Sequence, residues 1–191
     1  DDGPITVANK KINLKILDEF QNAAEEMGIP KTNDFNTGDN SGIGFFQFTT
    51  SHSRKKLLKL RCSAAKGYLN PVKKRQNLKI VVNAHVQKIN FKGKKAEGVN
   101  YYLGNTLNTV KASKEVILSA GSIGSPQILQ VSGIGDGEKL KKHDIKTIHE
   151  LKGVGKNLHD HLMFRPVYKV QNLKSLNRKV ESLFGRFLIG L

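Results

Sequence analysis

Apolar residues recur at helical spacing through Ile16, Leu17, Phe20, Ala23, Ala24 and Met27, the repeat of an amphipathic helix. Gly28 and Pro30 close the pattern, and Glu25 and Glu26 fall on its polar side. Residues 31–44 are rich in Asn, Asp, Gly, Ser and Thr and read as a loop, whereas 44–50, with Phe45, Phe46 and Phe48, read as a strand. Ser63 is placed to cap a short helix through Ala64, Ala65 and Tyr68, which Pro71 helps to end. The middle of the chain is β-rich. Strands are expected at 78–82, 86–91, 96–103 and 106–110, with Asn83-Ala84, Lys92-Gly93-Lys94 and Gly104-Asn105 as the connections. Gly104 at the first position of a two-residue hairpin supplies the positive φ such turns need.

Val116 to Gly135 carries no charged residue over twenty positions. Four Ser, four Gly, two Gln and Pro126 make this stretch too polar and too broken for a lipid-facing helix. It reads instead as a buried strand at 116–118, a small-residue turn at Ser119-Ala120-Gly121-Ser122, and a helix with Ser125 as N-cap and Pro126 at its first position. A strand ending in small residues lets a ligand approach the backbone closely, and open α/β sheets bind ligands beyond the carboxyl ends of their strands. A plain strand-to-helix packing turn has the same sequence.

Charge changes this picture little. The 191 residues hold 32 Lys plus Arg against 16 Asp plus Glu, a formal +16. The basic residues are spread along the chain, at Arg54-Lys55-Lys56, Lys73-Lys74-Arg75, Lys92 with Lys94-Lys95, Lys139 with Lys141-Lys142, and Arg178-Lys179. No aromatic-rich basic strand or zinc-finger spacing accompanies them, so no nucleic-acid partner is expected. The single cysteine, Cys62, excludes an internal disulfide and, with no paired Cys/His spacing, a structural zinc site. His159-Asp160-His161 lacks further ligands at local spacing, so no metal is expected there, and His85 reads as a strand-surface residue. Basic residues from Lys169 to Arg186 flank Leu173, Leu176, Val180, Leu183, Phe184, Phe187 and Leu188. That pattern suits a helix packing on its own protein, or one lying on a membrane surface. The sequence starts at Asp1 without a signal-peptide pattern, and its last apolar repeat has no stop signal, so it reads as the interior of a longer chain.

The run Gly121-Ser122-Ile123-Gly124-Ser125-Pro126-Gln127-Ile128-Leu129-Gln130-Val131-Ser132-Gly133-Ile134-Gly135 resembles a signature of the glucose–methanol–choline oxidoreductase family at every constrained position. Arg61-Cys62-Ser63 with Tyr68-Leu69 and Pro71, then Asn77-Leu78, His85-Val86 and Gly98-Val99, and finally Gly153-Val154-Gly155 with Asn157-Leu158 and Asp160-His161, resemble other family segments in the same order. Asp136 and Lys152 stand where Pro is usual, and His159 where Gln is common.

The resemblance implies a mixed α/β fold: part of a FAD-binding domain of the glutathione-reductase type plus part of a substrate domain. Residues 1–76 would be a substrate-domain segment, 77–135 a FAD-domain segment, and 136–191 a connection followed by more substrate domain. The implied activity is oxidation of a small alcohol or choline, with FAD as cofactor, an undefined electron acceptor, and a cytoplasmic location with possible peripheral membrane association. Val86 would meet the adenine through its main-chain amide and carbonyl, and Ser119, Ala120 and Gly121 would pass close to the FAD. The family's G-x-G-x-x-G turn is expected upstream of Asp1 and its catalytic His beyond Leu191, so the resemblance assigns no catalytic residue within the 191 and implies that they are inactive alone. A standalone basic module for nucleic acid or a membrane surface is the competing reading.

Overall fold

The computed structural model describes residues 3–9, 14–50 and 61–172, together with Asn177 and Val180. The helix expected over 173–191 and the basic run at 54–56 lie outside these residues, Asn177 and Val180 apart. The chain forms two compact units, Asp1–Leu78 with Pro166–Leu191, and Lys79–Arg165.

In the first unit the amphipathic repeat forms α1, Lys15–Glu26, and the next turn passes through Gly28 at φ +87°. Lys31 fastens the chain that follows to this helix, its Nζ donating to Asn22 Oδ1 (2.9 Å) and Glu25 Oε2 (2.7 Å). The 31–44 loop folds back on itself, Thr32 N–H donating to the Ile43 carbonyl and Ile43 N–H to that of Pro30. Of the strand expected at 44–50, Phe48–Thr50 forms β2, antiparallel to β1, Thr6–Ala8. Ser63 acts as expected, its Oγ accepting the Lys66 N–H at 3.3 Å. The helix it opens is π-helical over Ala65–Leu69 and continues as α2, Asn70–Val72, so Pro71 sits inside the last turn rather than after it. With no N–H to donate, Pro71 forgoes one bond in that final turn.

The second unit is built on an antiparallel meander. Strands β3 (Ala84–Lys92), β4 (Lys95–Leu103) and β5 (Thr106–Lys111) pair in sequence order. Both connections have glycine first, Gly93 at φ +58° and Gly104 at φ +56°. Gly98 lies where β5 presses closest: a Cβ there would collide with the Val110 carbonyl oxygen. Helix α3, Gly121–Val131, packs on β3 and leads into β6 (Ile134–Gly135), α4 (Gly137–Lys141) and β7 (His149–Glu150), with β6 and β7 parallel.

Two expected strands are absent. Residues 78–82 and 116–118 pair with no described strand, and Ile117 is 79% exposed where burial was expected. Both runs have β-forming composition, but a strand is fixed by its ladder, and no neighbouring strand among the described residues supplies one. The N-terminus of α3 also differs. It begins at Gly121, with Ala120 as N-cap, and Pro126 lies within it. The missing proline donor removes one intrahelical bond, and the helix accommodates it.

Ser132 joins helix to sheet. Its hydroxyl donates to the Ile128 carbonyl (2.5 Å) and accepts the Ile89 N–H from the edge of β3 (2.8 Å). Ser132 and Ile89 are both buried. Ser132→Ala leaves that N–H without a partner and should lower unfolding stability by about 1–3 kcal/mol, read from urea denaturation. An unchanged midpoint would remove this bond from the account of the fold. Gly98→Ala should be at least as damaging, seen as lost amide protection along β4 and β5.

Candidate functional site

The turn at 119–121 leads directly into α3. Ser119, Ala120 and Gly121 are all exposed, so their backbone is open to a ligand from outside. Ala120 N–H donates to Ser125 Oγ at 3.0 Å. Ser125 is therefore the residue that ties the turn down, a role its N-cap chemistry signals although the helix starts earlier. Gly121 takes φ +83°, and a Cβ built there meets nothing within 4 Å. The glycine is required by the backbone rather than by crowding, and the space beside it is free. At Gly124 a Cβ would stand 3.2 Å from that of Ala120, a tight contact that a small shift would relieve.

Val86 lies in β3 opposite Tyr101 and half-buried. The register decides where its main chain points. Ile89, opposite Val99, turns its N–H outward to Ser132. Tyr101 is two residues from Val99 in unbroken β4 and shares its orientation. The bulge at Gln87, between the Val86 and Lys88 pairs, then gives Val86 the outward orientation of Ile89. Its amide and carbonyl thus face the unpaired edge of β3. Both expected contact regions belong to the β3–α3 pair.

Glycines and a capped helix hold the remainder of the motif. Gly133 adopts φ +89°, and a Cβ there would come within 2.5 Å of the Lys146 carbonyl oxygen. Gly133 and Gly135 carbonyls accept the Ile148 and Leu151 N–H groups at 2.8 Å each. Asp136 caps α4, its carboxylate accepting the Lys139 N–H at 3.4 Å and lying 3.7 Å from Lys156 Nζ. Partial burial raises the pKa of this carboxyl. The Lys139 amide, the Lys156 charge, the Glu138 amide and the Lys139 charge together outweigh it, leaving the pKa below 3.8.

The other singled-out residues gather no chemistry. His159 and His161 are exposed, and His161 N–H donates to Asp160 Oδ1 at 2.8 Å. No group of three or more His, Cys, Asp or Glu suited to a metal ion occurs among the described residues. Cys62 is buried, its N–H donating to the Thr49 carbonyl at 3.2 Å and its carbonyl accepting Thr49 Oγ1 at 3.0 Å. His85 is exposed on β3 opposite Tyr102. No helix among the described residues is long and apolar enough to cross a membrane.

A family model described as GMC oxidoreductase matches residues 2–163. The chain belongs to that family. It is 43% identical over 161 residues to an oxygen-dependent choline dehydrogenase of Pectobacterium carotovorum, covering 84% of this chain and 28% of that protein. A second oxygen-dependent choline dehydrogenase, from Chromohalobacter salexigens, is 42% identical over 176 residues, covering 92% and 30% respectively. Among solved structures, an FAD-dependent oxidoreductase from Chaetomium thermophilum superposes with a TM-score of 0.75 at 36% identity, covering 83% of this chain and 27% of that one. The chain therefore spans under a third of the length of the curated relatives it matches, and its mixed α/β fold is that of FAD-binding GMC oxidoreductases.

The lowered Asp136 pKa fixes the sign of a pH effect. A carboxylate held below its unfolded value, about 3.9, contributes stability that is complete above that value and lost as pH falls through the folded pKa. Asp136→Asn keeps an acceptor for the α4 cap but removes the charge. It should be less stable than the parent at pH 7, with the gap in urea midpoint closing as pH falls below the ordinary aspartate range. A gap that stayed constant would show that the Asp136 charge contributes nothing.

Proposed function

We propose that the protein containing this chain is an FAD-dependent oxidoreductase acting on the CH–OH group of a small alcohol, with choline the first substrate to test. The observation that carries this reading is the open turn at 119–121. The longest family signature in the sequence begins there, with exposed backbone, a positive-φ glycine and empty space beside it. These features fit a large cofactor lying against the main chain. The names of the relatives, choline dehydrogenases and an FAD-dependent oxidoreductase, point the same way.

FAD, when bound, supplies the hydride acceptor. This chain's own residues would hold it in two places. The outward amide and carbonyl of Val86 suit the hydrogen-bonding edge of an adenine. Ser119, Ala120 and Gly121 would let the cofactor approach the backbone, with Ser125 fixing the turn. Residues 1–76 and 136–191 are proposed to contribute to the substrate domain and 77–135 to the FAD domain. Work in the cytoplasm, with a peripheral membrane contact through basic residues, belongs to the same proposal.

The complete protein should carry flavin absorbance and reduce a dye with choline, more slowly with simple primary alcohols. Flavin with no turnover on choline or any alcohol would overturn the substrate class, and absence of flavin would overturn the whole reading. Within that protein Ala120→Leu should lower flavin content severalfold while leaving far-UV circular dichroism unchanged, because the larger side chain fills the space beside the backbone. Val86→Pro removes the outward N–H from an edge strand that tolerates proline. It should weaken flavin retention less, since one net hydrogen bond contributes about 0.5–1.5 kcal/mol. Full flavin occupancy in both variants would sink the placement of the cofactor.

A further inference from the structure

The charges around α4 are sorted by side. Glu138, Asp144 and Glu150 line one shallow depression, mixed with Lys141 and Lys146. On the other side α3, α4 and residues 155–159 enclose an open cleft of about 1040 Å³. Lys139, Lys142, His143, Lys156 and His159 line it, and no Asp or Glu does. Asp136, beside Lys156, is already engaged by the α4 cap and by that lysine. Between the cations lie apolar side chains, among them Ile123 and Leu158, which are 73% and 67% exposed.

The cleft is built rather than accidental. Gly155, at φ +76°, brings the 155–159 loop against the Gln130 carboxamide of α3. That carboxamide is held in turn by the Pro126 carbonyl at 3.3 Å. Beside it, Asn157 takes φ +57°. A cationic rim over an apolar floor attracts one kind of molecule, an anionic head joined to an apolar body.

We propose that this cleft binds an amphiphilic phosphate or carboxylate, its head between Lys139, Lys142 and Lys156 and its apolar body over Ile123 and Leu158. The inference does not rest on the redox reading, and its test keeps the two apart. Octyl phosphate is titrated calorimetrically into the complete, flavin-loaded protein, with octanol and inorganic phosphate as comparisons. One molecule should bind per chain, more than tenfold tighter than either comparison. Lys139→Glu with Lys142→Glu should weaken it more than tenfold and leave flavin content unchanged. Lys141→Glu with Lys146→Glu, the same charge change on the other side, should alter affinity less than twofold.

Equal weakening by both pairs would mean attraction to the overall charge and would overturn the site. So would the absence of saturable binding, or loss of flavin in the first pair. Sedimentation with vesicles containing anionic phospholipid separates a flat membrane contact from the cleft. Vesicle binding without capture of monomeric octyl phosphate rejects the proposal, whereas capture in both forms identifies the head group as the shared determinant.

Discussion

One hydroxyl connects the layers of the second unit. Ser132 closes α3 by donating to Ile128 and completes the β3 edge by accepting from Ile89. An edge strand otherwise presents unpaired donors, and a buried one costs more than a made bond contributes. The bond therefore sets the height at which α3 lies on the sheet. It also sets the position of the 119–121 turn at the other end of the same helix. The next residue, Gly133, continues the constraint by admitting the Lys146 backbone where no side chain fits. The closing Ser-Gly-Ile-Gly of the family signature is thus a packing device that aims its opening glycine.

The two ends of that signature are asked for different things. Gly133 lies where the Lys146 carbonyl occupies the space a Cβ would need, and a Cβ at Gly135 would press on Gln130 at 3.2 Å. Gly121 lies in open space and is set apart only by its backbone angle. A close-packed glycine serves the fold, whereas a glycine beside empty volume leaves room for something else. The adenine-facing proposal for Val86 has a similar origin. A single bulged residue, Gln87, restores the orientation that brings its amide and carbonyl to the edge of β3.

The hydrophobic interior of the described residues is thin. Ala24, Cys62, Ile89 and Leu140 are its buried apolar residues, while Phe46, Met27, Leu162 and Val167 are largely exposed. This agrees with a chain that spans under a third of its relatives' length. It also explains why local hydrogen bonds and glycine contacts, rather than burial, define most of the site.

The α1 helix, the three-stranded meander and its glycine turns were legible in the sequence, because each depends on residues close together in the chain. Periodicity fixes the helix, and positive φ at the first turn position fixes Gly93 and Gly104. The small residues at 119–122 mark the break before α3 without reference to anything distant, although Gly121 and Ser122 already belong to the helix. The runs at 78–82 and 116–118 were misread as established strands, since composition cannot state whether a partner stands alongside. Local pattern also misplaced the start of α3, because Ser125 caps backwards onto Ala120 across a turn whose path depends on Gly121. Ser132 bridging to Ile89, the outward register of Val86 and the segregation of acidic residues to one side of α4 all join residues far apart in sequence. Only tertiary structure decides such pairings, because they depend on where each backbone group points once the elements have packed.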